Sequence, residues 1–212
     1  MQPPKSEICV ICGVRPADTV DHVPPKCFFK GAVNAQLRTV PACSVCNNGA
    51  SSDDEDIRFY ISVQIGKQNP ASEALWDDGA YKTIKRKAKL RSSFLATARE
   101  VQVLEGGKTG TGLAFHVPVT TYQRVFERTT RGLYFFHTGR ILSPSVPVEA
   151  TMLAGTPDLD TDDIRRLNVE VVGGGACIYR FGIVPDEPDC SVWIYEFHQA
   201  HWALVHTGAV AC

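Results

Sequence analysis

The 212 residues contain no apolar run of the length a membrane span requires, and the opening residues, MQPPKSE, offer no apolar signal core. These absences set the expectation of a cytoplasmic protein without a membrane partner. Net charge is missing too: 22 Lys and Arg stand against 23 Asp and Glu, leaving −1. A balanced chain has no global field to draw in nucleic acid, so any such surface has to be local. No internal repeat and no low-complexity tract is present. What is present is ordinary globular composition, 44% hydrophobic and 21% charged, in a length that allows one large domain or two small ones.

Cysteine is the residue in excess. Four of the eight fall in two Cys-x-x-Cys pairs, Cys9/Cys12 and Cys43/Cys46. In a reducing compartment that spacing favours metal over disulfide, and two pairs of soft thiolates can hold one tetrahedral Zn²⁺. Four thiolates leave no open coordination position, so this zinc is expected to be structural and to stabilise a segment too small for its own core. Cys27, Cys177, Cys190 and Cys212 lack such spacing and read as buried small hydrophobes or free thiols.

The pairs bracket Asp21-His22, and Asn47 follows the last cysteine directly. Hydrolysis of a phosphodiester needs a base for the attacking water, a cation to neutralise charge on the phosphate and leaving oxygen, and a scaffold holding both in line. An imidazole titrates near neutrality, which suits His22 to the first task. Asp21 and Asn47 offer hard oxygen ligands of the kind Mg²⁺ prefers. Neighbouring strand residues point to opposite faces, so a bulge or kink before Pro24-Pro25 is needed to bring Asp21 and His22 to one phosphate.

The order Cys-x-x-Cys, Asp-His, Cys-x-x-Cys-Asn, with the wording DHVPPK and VPACSVCN, resembles the HNH endonucleases of the ββα-metal, treble-clef class with a Cys₄ zinc, in particular phage junction-resolving nucleases. The resemblance covers about the first 60 residues. It implies His22 as general base, and Asp21 and Asn47 as ligands of one catalytic Mg²⁺ or Mn²⁺. It also implies nucleic acid, with DNA expected, as substrate. Two positions depart from the family pattern. Arg38 stands near the place of the middle Asn, with Asn34 the nearest Asn, and Ala50 and Ser51 replace the basic residue that often follows the final ligand.

Along the chain, one helical turn is expected from Cys43, stopped by Gly49. Ser52 and Glu55 then look like a capping box opening a helix with Ile57, Tyr60, Ile61 and Ile65 inward, ended by Gly66 and Asn69-Pro70. Residues 71–99 read as helical, broken near Asp77-Asp78-Gly79. Strands are expected around the glycines at 106–110, and a helix over 121–136 with Tyr122, Val125, Phe126 and Leu133 inward. A short helix is expected from Thr161, and antiparallel strands over the last 45 or so residues. Lys82, Lys85, Arg86 and Lys89 lie in a basic run that reads equally as a phosphate contact or a solvated helix face. Arg124, Arg128 and Arg131 carry the same ambiguity. His198, His201 and His206 read as strand residues among aromatics, and the three glycines at 173–175 as a turn.

The sequence therefore predicts an α+β protein: a zinc-stapled ββα-metal module over residues 1–66, then a mixed helical and antiparallel-β domain over 67–212 that could bind substrate. The rival expectation is a non-catalytic treble-clef module that binds nucleic acid or a protein partner.

Overall fold

A computed structural model describes residues 5–30, 36–63, 70–105, 107–153 and 155–208. The expected Asn34, Ile65, Gly66, Asn69, Gly106 and Cys212 features lie outside these residues. β1 (Thr19–His22) and β2 (Thr39–Ala42) form an antiparallel hairpin, with a 3₁₀ turn (Lys26–Phe29) between them. α1 (Ser44–Ser62) follows directly. Then come α2 (Pro70–Leu75), a π-helical turn (Trp76–Ala80), α3 (Tyr81–Arg86) and α4 (Ala88–Thr97). β3 (Arg99–Glu105) and β4 (Lys108–Ala114) pair as a hairpin, and α5 (Val119–Thr138) is the long central helix. β5 (Val148–Leu153), α6 (Asp162–Arg165), β6 (Asn168–Val172), β7 (Cys177–Ile183), β8 (Ser191–Phe197) and β9 (His201–Thr207) complete the chain. The last five strands form one antiparallel sheet in the order β5-β9-β8-β7-β6. Among the described residues no helix is long and apolar enough to cross a membrane.

The sheet is built on aromatic alternation. Trp193, Tyr195 and Phe197 on β8 are fully buried, and each such side chain contributes roughly 1.5–3 kcal/mol on burial. Phe181 of β7 stacks on Trp193 at 4.8 Å. α5 lies across this sheet through Phe126, 5.6 Å from the Tyr195 ring. Its inward residues include the expected Tyr122, Val125, Phe126 and Leu133, and Gly139 closes it in the left-handed conformation.

α1 departs from expectation. Gly49 does not stop it and Ser52 does not start it; the helix runs unbroken from Ser44 to Ser62. An internal glycine costs about 1 kcal/mol, and larger gains outweigh it. Ile57, Phe59, Tyr60 and Ile61 are buried. The Asp18 carboxylate accepts the Ser44 N–H at 2.6 Å, a cap supplied from the hairpin rather than from the helix's own sequence. The Ser52 hydroxyl, no cap, accepts a bond from Lys87 Nζ at 3.0 Å.

The segment after Asp21-His22 is gripped by the C-terminal elements. A Cβ at Gly132 of α5 would lie 2.6 Å from Val23 Cγ1, and one at Gly173 would lie 2.2 Å from Phe29 Cδ1. His198 Nε2 lies 2.8 Å from the Phe28 carbonyl oxygen. One apolar cluster accordingly runs from Val10 and Val23 through α5 to Trp193 and Val205. Arg38 ties the hairpin outward: it pairs with Glu170 of β6 at 2.7 Å and lies over Phe136 at 5.0 Å.

Cys27 and Cys177 are free thiols, as expected. Cys190 is not: it is disulfide-bonded. Such a pairing is set by three-dimensional proximity, and sequence spacing carries no trace of it.

Candidate metal centre and its charged surroundings

Residues 9–13 make a tight knuckle, with the Gly13 N–H donating to the Cys9 carbonyl at 2.8 Å and Gly13 at positive φ. The Val10 N–H donates to the Pro41 carbonyl and docks the knuckle on β2. Cys43 sits at the N-cap of α1 and Cys46 in its first turn. The four Sγ atoms of Cys9, Cys12, Cys43 and Cys46 all lie within 4.8 Å of one another, so the cluster could hold a metal ion such as zinc. A tetrahedral zinc at the usual bond length of about 2.3 Å sets sulfurs about 3.8 Å apart, which this cage accommodates. Arg15 Nη1, 4.0 Å from Cys43 Sγ, brings a cation to the thiolates. Among the described residues no other group of three or more His, Cys, Asp or Glu side chains converges in this way.

Asn47 is tied to the hairpin. Its Nδ2 donates to the Val20 carbonyl at 2.8 Å and to Thr19 Oγ1 at 3.1 Å. A carbonyl can only accept, so the nitrogen end of the amide must face the strand and the oxygen end is turned away from it. The β1–β2 register is unbroken from Thr19↔Ala42 to His22↔Thr39, so no bulge lies within it. Asp21 therefore goes to the buried face, at 6% exposure, while His22 is half-buried on the other. Burial and the Lys26 ammonium hold the His22 imidazole below its ordinary value, in the neutral form that accepts a proton.

Asp21 meets a cation. Its Oδ2 lies 3.5 Å from Arg128 Nη1, and neither atom has a hydrogen-bond partner. Arg128 Nη2 bonds Asp54 Oδ1 instead. Two buried carboxylates thus share one guanidinium. Burial pushes Asp21 up, and Asp54 up to about 6, despite the Arg128 charge beside them. The adjacent Cys27 thiol is pushed up to about 12, chiefly by burial, which leaves it unreactive.

The four consecutive acids of α1 each find a cation. Successive helix residues turn by about 100°, which sends Asp53 and Asp54 towards α5 and Glu55 and Asp56 towards α3. Asp53 pairs with Arg124 at 2.7 Å and Asp54 with Arg128. Arg86 Nη2 donates to both carboxylate oxygens of Glu55, and Asp56 pairs with Lys87. The basic run is therefore divided. Arg86 is neutralised inside the molecule, Lys85 lies over the Tyr81 ring at 4.2 Å, and Lys82 and Lys89 are exposed. The expected histidine cluster is structural: Tyr122 Oη meets His201 Nε2 at 3.0 Å, and His206 lies 3.5 Å from Glu149.

Sequence reasoning missed Arg58 and Lys30, and it read Arg128 as a phosphate contact or a solvated helix face, where the structure buries it against Asp21 and Asp54. Arg58 carried a usable signal, as a lone cation inside the apolar stretch Ile57 to Ile61. It is 3% exposed. No protein-family model, no curated protein and no solved structure matches the chain.

Proposed function

We propose that the chain is an HNH-type endonuclease that hydrolyses nucleic-acid phosphodiesters, with DNA as the expected substrate. The four cysteines would carry a structural zinc in a treble-clef arrangement of knuckle, hairpin and helix. The observation that supports the reading is the tie from Asn47 Nδ2 to the Val20 carbonyl, which holds Asn47, the residue after Cys46, against the strand bearing Asp21-His22. His22, held neutral, would take the proton of the attacking water. Asp21 and Asn47 are the residues that would hold Mg²⁺ or Mn²⁺. When bound, that cation supplies charge neutralisation at the phosphate and the leaving oxygen. Arg38 and Glu170 tie the hairpin to the sheet.

Plasmid DNA incubated with the purified chain and Mg²⁺ or Mn²⁺ should be nicked. His22→Ala should abolish nicking while leaving thermal stability and bound zinc unchanged. Equal nicking by His22→Ala would sink the mechanism.

One observation favours the second reading, a non-catalytic treble-clef module. Asp21 is turned away from His22 and already faces Arg128. That reading expects zinc in the purified protein, no divalent-dependent cleavage, and an effect of Asp21→Asn on stability alone.

A further inference from the structure

Among the described residues Arg58 has no counter-charge. It stands among the most buried residues of α1, where its Nη2 donates to Thr83 Oγ1 at 2.6 Å and its Nε is buried without a hydrogen-bond partner. Among the described residues no carboxylate pairs with it, because the acids of α1 are committed elsewhere: Asp53 and Asp54 to the arginines of α5, Glu55 and Asp56 to Arg86 and Lys87. An unpaired buried charge is strongly destabilising unless something compensates it.

The surroundings point to what would compensate it. Arg58 lines a cleft of ≈ 250 Å³ together with Lys30, Lys82, Thr83, Arg86 and Glu55. The sole acid in that lining already pairs with Arg86 through Nη2 and with Lys87 at 3.4 Å, so its charge is spent. Gly79 of the π-helical turn closes the other wall; a Cβ there would lie 2.8 Å from Arg58 Nη1. Bare backbone at that point gives the guanidinium its room. A rigid fork of donors, a hydroxyl and two mobile ammonium groups around a small cleft match a tetrahedral oxyanion with several acceptor oxygens.

We propose that this cleft, formed by α1, α3 and the residue that follows the 3₁₀ turn, is a binding site for a phosphate group. The inference rests on Arg58 and does not depend on the nuclease reading. The phosphate could belong to a nucleic-acid backbone or to a free phosphate monoester, and the two sources are separable.

The test follows the arginine Nε–H signals of the ¹⁵N-labelled full-length chain by NMR. Inorganic phosphate and the thymidine dinucleotide TpT, which has only an internal diester, are titrated separately at constant ionic strength set with chloride. One Nε–H signal, absent from Arg58→Lys, should move with phosphate. Movement with TpT as well assigns the site to a backbone phosphate; movement with phosphate alone assigns it to a terminal one. The double variant Lys30→Ala/Lys82→Ala, both exposed positions, should weaken binding on the order of fivefold, as expected for losing two screened surface cations. It also guards against misfolding of the Arg58 variant. Gly79→Ala should weaken binding with no change of charge. No movement with either probe, or equal affinity in the double variant and the wild type, overturns the proposal. A chain that binds phosphate but never nicks DNA loses the nuclease reading and keeps this site.

Discussion

The two flanks of α1 carry opposite imbalances of charge. On the flank facing α5, the buried Asp21 and Asp54 share Arg128, so acid is in excess. On the flank facing α3, Arg58, Lys30 and Lys82 have no acid left to pair with among the described residues, so cation is in excess there. Both imbalances come from one run of four acids, whose helical twist deals two to each side. The acid-rich flank adjoins the strand of Asp21 and suits a cation. The cation-rich flank opens on a cleft and suits an anion. Near-zero net charge over the whole chain hides both.

Removing the shared cation should break the comparison most violently. Arg128→Met leaves two carboxylates buried without compensation, and stability should fall by about 3–5 kcal/mol. Arg86→Met is the matched change on the other flank. Its side chain is 67% exposed, so its salt bridge is screened by water and the loss should stay below about 1 kcal/mol. Urea denaturation of the two variants compares them directly; similar losses would mean that the two flanks do not differ as described.

The pH dependence should also differ in sign. Asp54 has its folded-state value raised to about 6 from 3.8, chiefly by burial. Its contribution is therefore fully present below pH 3.8 and is lost as pH rises through about 6. Glu55 is lowered from 4.5: burial pushes it up, but the bonds and charges of Arg86 and Lys87 together outweigh that. Its contribution is present above pH 4.5 and is lost as pH falls. Measured without divalent cations from pH 4 to 7, wild type should lose stability relative to Asp54→Asn as pH rises, and gain relative to Glu55→Gln. The same slope for both variants would contradict the assignment of the two flanks.

Local pattern made much of the fold legible. The spacing of Cys9, Cys12, Cys43 and Cys46 located the four-cysteine cluster, and the apolar alternation of the last 45 or so residues located strands of the sheet. Periodicity placed α5 within two residues at each end. The failures share one cause: the deciding contact came from far along the chain. Gly49 and Ser52 read as a break because the real cap, Asp18, lies on the hairpin. Arg38 looked like a missing brace, yet its partner Glu170 lies 132 residues away. The basic run was read as one surface, and the acids of α1 divide it. At the candidate site, residue types were readable and directions were not. Only the unbroken β1–β2 register shows that Asp21 and His22 take opposite faces.

Arg58→Met sharpens the comparison with a smaller effect of opposite sign. On the α5 flank an arginine is indispensable; on the α3 flank a buried arginine without a counter-charge is a cost. Its replacement by an apolar side chain of similar length should raise stability by about 1 kcal/mol in phosphate-free buffer, since removing a desolvated charge outweighs the single bond to Thr83. Chemical denaturation reads this directly, and a loss of stability would mean that Arg58 is compensated within the chain.

The smallest effect is expected from a pair of glycines, one on each flank. Gly49 lies on the α5 side of α1, and a Cβ there would meet nothing within 4 Å. Gly49→Ala should remove only the backbone-entropy penalty of an internal helix glycine and stabilise the chain by about 0.5–1 kcal/mol. Gly79 faces the other flank, where a methyl would press on Arg58 Nη1. Gly79→Ala therefore meets two opposed terms, the same entropy gain and the displacement of a buried guanidinium. It should gain less than Gly49→Ala, or lose. Thermal melts of the two variants side by side measure the difference. If Gly79→Ala gained as much as Gly49→Ala, the Arg58 guanidinium would not be held against that backbone, and the cation-rich flank would lose the wall that shapes it.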